Sequence, residues 1–106
     1  MIAVMFEVRP ADGQSDRYFE LAGKLKSELE KVDGFISVER FQSLVDDAKF
    51  LSLSFWRDAE AVETWFRHAG HHDAQTEGRS GVFKDYRIRV ANVFRDYDLA
   101  AGRPEV

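Results

Sequence analysis

All three histidines of this 106-residue chain fall in one stretch, WFRHAGHHDAQTEGR, residues 65 to 79. Imidazole ordinarily titrates near neutrality, so the run has three readings: a metal site, an acid–base group, or a polar helix edge. A metal site would take His68 and His72, four residues apart and on one helical face, with His71 or Asp73 as a third ligand. The stretch lacks the HExxH pattern that sets a general base beside such a pair, and no fourth ligand is evident elsewhere, so no metal is expected. The chain has no cysteine, which removes thiolate ligands, disulfides and Cys nucleophiles together.

The acid–base reading rests on spacing. His68, His71 and Gln75 follow at i, i+3 and i+7, so a helix would carry them along one edge, with Trp65 three residues before His68. His68 and His71 are the candidate catalytic bases. Each residue has a plainer reading beside this one: His71 as the cap or bridge of a helix end near Gly70, His72 as a solvent-facing side chain, Trp65 as core with Val62 and Ala69, and Arg79 as a loop tie to Asp85.

The elements that must position these groups read as follows. Residues 2 to 9, IAVMFEVR, set Ile2, Val4, Phe6 and Val8 on one face and end at Pro10, a strand. After the turn ADGQSD, with Ser15 or Asp16 available as a cap, Phe19, Ala22, Leu25, Leu29 and Val32 recur at helical spacing; the helix should run from about 16 to 31 and stop at Asp33 and Gly34. Alternation returns from Phe35 to Leu44, with Ile36 and Val38 against Ser37 and Glu39. VDDAK is a hairpin turn, and FLSLSFW, residues 50 to 56, is the partner strand with Leu51, Leu53 and Phe55 on its apolar side. Asp58 can cap a second helix through Ala59 or Ala61, Val62, Trp65, Phe66 and Ala69. Gly78 and Gly81 interrupt, and DYRIRVANVFRDYD, residues 85 to 98, is a long last strand with Tyr86, Ile88, Val90 and Phe94 on one face.

The order βαββαβ is that of an α+β, ferredoxin-like antiparallel sheet with both helices on one face. One domain spanning 1–106 is expected, with its core at 2–98 and a flexible tail at 99–106. The opposite sheet face reads as mixed: Met5 and Glu7, Ser37 and Glu39, Ser52, Ser54 and Trp56, Arg87 and Val93. A second copy covers such a face better than water, so a homodimer with facing sheets is expected. Arg87, Arg89 and Arg95 would pair across it with Glu7 or Glu39.

Composition narrows the partners. Fifteen basic against nineteen acidic residues give a net charge of −4 with neither sign concentrated, so nucleic acid is not expected as a partner. The opening MIAVMFEVRP has neither the basic region nor the long apolar core of a signal peptide, and no apolar run approaches membrane-spanning length. A cytoplasmic protein with no membrane partner is expected.

With the element order in place, SFWRDAEAVETW, HAGHHDAQTEGR and FKDYRIRVANVFRDY resemble the antibiotic biosynthesis monooxygenase family of dimeric α+β barrels. The matches are Trp56, Trp65, His68, His71, Ala74, Gln75, Gly78, Arg79, Phe83, Tyr86, Arg89 and the RDY at 95 to 97. The resemblance implies a pocket between sheet and helices, walled partly by the second helix. It also implies a cofactor-independent monooxygenase that combines a small aromatic, polycyclic or quinol-like compound with molecular oxygen. That chemistry needs a base to make an electron-rich anion, His68 or His71, with Gln75 or Arg79 to stabilise the oxyanion and an apolar cavity to protect the radical pair. Trp65, Gln75, Arg79, Phe6, Phe83 and Tyr86 are the substrate-binding candidates. A non-catalytic, dimeric small-molecule-binding or stress-related protein of the same fold is the alternative. Haem degradation fits less well: relatives that degrade haem place an asparagine where Phe6 or Glu7 stands, and their iron ligand falls here near Gln75 rather than on a histidine.

Overall fold

The computed structural model describes residues 1–68, 76 and 81–100. Strand β1 (Ile2–Pro10) leads to helix α1 (Ser15–Leu29), then β2 (Phe35–Gln42), β3 (Phe50–Trp56), helix α2 (Ala59–Phe66) and β4 (Phe83–Asn92). The strands form one sheet in the order β2-β3-β1-β4, antiparallel throughout. This is the expected ferredoxin-like α+β arrangement.

Strand β1 is central because its alternation serves two neighbours at once. Val4 stands opposite Ser54 of β3 and Val90 of β4, and Phe6 opposite Ser52 and Ile88. Residues directly opposite in an antiparallel pair share a face, so Ile2, Val4, Phe6 and Val8 define the helix side of the sheet.

The same register reverses the expected facing of β3. Trp56 lies opposite Ile2 and is 1% exposed, and Ser54 is buried beside it, so Ser52, Ser54 and Trp56 face the helices. Leu51, Leu53 and Phe55, half-buried, share the other face with Met5 and Glu7. Counting serine as polar misleads here because the Trp56 indole Nε1 donates to Ser54 Oγ at 2.9 Å, which satisfies both groups inside the core.

Other expectations shift by smaller amounts. Helix α1 begins at Ser15 with Gln14 in the capping position and no side-chain cap bond, so neither Ser15 nor Asp16 is the cap. Its buried residues are Tyr18 and Leu21, while Phe19 is 39% exposed. Strand β2 ends at Gln42, and a register shift between Phe35 and Ser37 turns Ile36 out to solvent. Strand β4 starts at Phe83 and ends at Asn92, which leaves Phe94 beyond the strand and exposed. Asp58 does cap α2, accepting from the Ala61 amide at 3.0 Å. Arg89 pairs with Glu7 within the chain, Nη1 to Oε2 at 3.1 Å. Asp85 lies 4.0 Å from Arg9. The supposed ties at Ala69, Gly70 and Arg79, and the tail at 101–106, lie outside the described residues.

The core comes in two parts. One joins Ile2, Val4, Trp56, Ala61, Val62 and Trp65; the other joins Val8, Tyr18, Leu21 and Val82, with Phe6, Phe50 and Phe83 against it.

Candidate ligand cavity

Between the two parts of the core lies a cavity of about 370 Å³. Protein interiors pack at crystal-like density with few voids larger than a water molecule, so a gap of this size inside a small domain is a ligand-scale feature. Its floor is the helix side of the sheet: Val4 and Phe6 from β1, Val38 and Arg40 from β2, Ser52, Ser54 and Trp56 from β3, Tyr86 and Ile88 from β4. Its roof is α1 through Tyr18, Leu21, Ala22, Leu25, Lys26 and Leu29, with Trp65 and Phe66 closing it from α2.

Local sequence explains why these residues arrive together. Leu21, Leu25 and Leu29 follow at four-residue spacing and form one stripe of α1; Tyr18, Ala22 and Lys26 form the stripe beside it. Trp65 sits a little under two turns after the Asp58 cap, on the face that buries Ala61 and Val62.

Two aromatic groups bound the space. Phe6, Phe83 and Tyr86 form a triangle with ring centroids 5.7, 5.8 and 5.9 Å apart, and Tyr18 joins it 6.1 Å from Phe83. At the other end Phe35 packs edge-on to Trp56, and Trp56 lies 6.5 Å from Trp65. Offset and edge-to-face contacts of this kind hold rings rigidly in place, so the walls are preformed.

Four of the residues expected to bind substrate therefore line the cavity: Phe6, Phe83, Tyr86 and Trp65. His68 takes a different place. Its ring stacks on Trp65 with centroids 5.2 Å apart, its Nε2 lies 3.4 Å from Glu28 Oε2, and its side chain is 34% exposed. It supports the Trp65 wall and is not among the lining residues. His71, Gln75 and Arg79 lie outside the described residues, as do His72 and Asp73 of the metal reading. At the position relevant to haem, Phe6 lines the cavity, while Glu7 faces the other side of the sheet, bound by Lys49 at 3.6 Å and Arg89.

Sequence reasoning missed Tyr18, Arg40, Ser54 and Trp56 as cavity residues. Tyr18 is 4% exposed; burial pushes its hydroxyl above the ordinary phenol range, opposed by the charge and hydrogen bond of Arg40. The four-residue spacing of Tyr18, Ala22 and Lys26 was the signal available for the first.

An open-faced α+β sheet with a walled cavity under its helices defines a class of small ligand-handling proteins. The chain belongs to the antibiotic biosynthesis monooxygenase family, which it matches over residues 1–77. It is 47% identical over 93 residues to "Jasmonate monooxygenase ABM" of Pyricularia oryzae, covering 88% of this chain and 43% of that protein. The chain thus spans less than half the length of that fungal relative. It is 32% identical over 78 residues to the uncharacterized protein YqjZ of Bacillus subtilis, covering 74% of this chain and 67% of that one. Among solved structures, a putative antibiotic biosynthesis monooxygenase from Deinococcus radiodurans superposes with a TM-score of 0.83 at 14% identity, covering 93% of this chain and 98% of that one. Rv0793 from Mycobacterium tuberculosis gives 0.82 at 12% identity, covering 92% and 98%. At such identities these two likenesses establish the fold alone.

Proposed function

We propose that the chain is a cofactor-independent monooxygenase that holds a small, mainly apolar compound in the cavity and combines it with molecular oxygen. The observation that carries this reading is the cavity itself, about 370 Å³ between the Phe6–Phe83–Tyr86 triangle and the Trp56–Trp65 pair, in a member of a monooxygenase family. An aromatic or quinol-like substrate would stack against such walls; the relative named for jasmonate makes a non-aromatic substrate an equal candidate.

In this reading His68 or His71 removes a proton from an acidic C–H or O–H of the substrate, and Gln75 or Arg79 steadies the resulting oxyanion. The anion passes one electron to oxygen, the pair combines into a C–O bond, and loss of water converts CH2 to C=O. One atom of O2 enters the product, the other leaves as water, and the substrate supplies all the electrons. Apolar walls favour the step because they exclude competing proton donors.

The reading includes a homodimer. Met5, Leu51, Leu53 and Phe55 make an apolar centre on the sheet face away from the helices, rimmed by Glu7, Arg87 and Arg89, a pattern suited to a second copy.

One observation favours a second reading, a non-catalytic binding protein: His68 stacks on Trp65 and is not among the residues that line the cavity. Oxygen uptake separates the two. With anthrone or a hydroquinone in metal-free buffer, the monooxygenase consumes O2 in proportion to substrate. Thermal stabilisation by the same compounds with no uptake overturns catalysis and supports binding alone.

A further inference from the structure

The cavity is apolar within but has two cations at its mouth. Lys26 comes from α1 and Arg40 from the edge strand β2; both line the cavity and both are solvent-exposed. Ala22, one turn before Lys26 on the same stripe of α1, also lines it.

Arg9, Arg17, Lys24, Lys31, Lys49, Arg57 and Arg89 each have a carboxylate within 4.0 Å, in a molecule whose net charge is −4. Among the described residues Lys26 and Arg40 have none, which is also true of Arg67, Lys84, Arg87 and Arg95, but of these six only Lys26 and Arg40 line the cavity. Glu39 also borders the cavity, but it stands opposite Leu53 in the register, so its carboxylate belongs to the other sheet face. Arg40 is held in place without an acid: its guanidinium lies 5.6 Å from the Tyr18 ring centre and 5.8 Å from that of Phe19. Its planar fork is thereby preorganised at the edge of the opening.

Each cation has a local explanation on its own. Lys26 suits the last turn of α1, and Arg40 suits two aromatic faces. Neither explains why both border one opening into an apolar space with no carboxylate between them.

We infer that the cavity takes a small amphipathic monocarboxylate, its apolar body lying between the Tyr18 and Trp65 ends and its carboxylate held at the mouth by Lys26 and Arg40. This rests on the reading of the cavity as a ligand site and names the class of ligand. Guanidinium matches a carboxylate in geometry, and an ammonium from the facing element adds a second charge-assisted bond. A neutral carboxamide of the same shape offers the two cations only the weaker hydrogen bond of an uncharged carbonyl.

The test compares 4-cyclohexylbutanoate with 4-cyclohexylbutanamide, two probes of one shape and different charge. Both tryptophans of the chain line the cavity, so their emission reports occupancy directly. The acid should bind the wild-type chain about 10-fold tighter than the amide, a gain typical of one charge-assisted contact, and the gain should shrink as NaCl rises. Lys26→Gln should remove part of that preference, and Lys26→Gln with Arg40→Gln all of it, with the affinity for the acid falling by a larger factor than that for the amide. Lys26 is exposed, so its single variant remains informative if loss of Arg40 disturbs the packing on Tyr18. Equal binding of acid and amide overturns the carboxylate inference and leaves the cavity reading intact. A preference that survives in the double variant overturns the assignment to these two residues. If neither probe binds, the cavity reading falls and the inference with it.

Discussion

The Trp65 indole and the His68 imidazole stack at the end of α2, 5.2 Å between centroids and 26° between planes, with the His68 amide donating to the Trp65 carbonyl at 2.9 Å. Trp65 is 6% exposed and walls the cavity, and the imidazole that braces it reaches across to Glu28 of α1. A histidine in this position sets the geometry of a wall through ring contact, whatever its role in proton transfer.

Ring contact and nitrogen chemistry can be separated by substitution. His68→Phe keeps the stack and should leave ligand affinity within about 2-fold, whereas His68→Ala frees the indole and should weaken binding about 5-fold or more, the loss of one aromatic contact. The double variant His68→Ala with His71→Ala should lower turnover about 100-fold, the lower range for loss of a general base. Titration by tryptophan emission and oxygen-electrode rates read the two effects independently, and unchanged turnover in the double variant removes the proposed base.

Inside the core, Trp56 and Ser54 form a pair whose members depend on each other. Ser54→Ala leaves the indole N–H without an acceptor and should cost about 1–3 kcal/mol, the penalty for a buried unsatisfied donor. Trp56→Phe loses volume as well, with a cost of similar size. Combining the two variants should recover about 0.5–1.5 kcal/mol relative to the sum, the net worth of one hydrogen bond, in a double-mutant cycle followed by urea unfolding.

That pair also shows where sequence reading reaches and where it stops. The order βαββαβ, the Asp58 cap and the inward face of β1 were legible because a period of two and a helix-capping residue are local signals. The facing of β3 was not. SLSFW alternates cleanly, but which half faces inward depends on the pairing of Trp56 with Ile2 and on a hydrogen bond that makes Ser54 a core residue. The site divides in the same way. Phe6, Trp65, Phe83 and Tyr86 were legible as aromatics on elements facing one space. Arg40 and Tyr18 join that space only through the packing of α1 over β2, a long-range relationship that no local period encodes.

Gly34 marks a second place where long-range geometry decides. It has φ +92°, and a Cβ there would stand 2.8 Å from Ala61 Cβ, while its carbonyl accepts from the Arg57 amide at 2.7 Å. Gly13 has φ +76°, and a Cβ added there would meet nothing within 4 Å, so it isolates the backbone cost. Gly13→Ala should destabilise by about 1 kcal/mol and Gly34→Ala by about 2–4 kcal/mol, the excess being steric. Midpoints in urea check the difference, and equal shifts for the two variants would mean that α2 yields freely at Ala61.

Stability should fall in acid, and the responsible groups are named by their surroundings. The Ala61 amide, then the Arg57 guanidinium, hold Asp58 below the usual carboxylate range; Arg9, then the Ala48 amide, do the same for Asp46. Burial pushes Glu7 up, but Lys49 and Arg89 together outweigh it and hold it low. A carboxylate with a depressed folded pKa contributes stability that is present above its unfolded value and lost as pH falls through the folded one, so the melting temperature should drop below about pH 4. All three groups are accessible to solvent, and added salt should flatten the profile. Asp58→Asn keeps a capping acceptor and should remove part of the acid dependence. An unchanged profile in that variant takes Asp58 out of the account.

The sheet face away from the helices sets the last expectation. Across the two central strands Met5 lies opposite Leu53 and Glu7 opposite Leu51, with Phe55 beside Ala3, so the middle of the face is apolar, with Glu39 of β2 and Arg87 and Arg89 of β4 on its flanks. Glu7 is already paired with Lys49 and Arg89 inside the chain, which lowers the cost of covering it, because a paired charge gives up less hydration than a lone one. Face-to-face packing of two such sheets would bury the leucines of both copies about a two-fold axis. Light scattering coupled to size exclusion should therefore give twice the chain mass. Leu53→Asp sets two like charges near that axis and should give the single-chain mass with an unchanged far-ultraviolet spectrum, since Leu53 makes no part of the helix-side core. A wild-type chain that elutes at single-chain mass across micromolar concentrations would rule out pairing through this face.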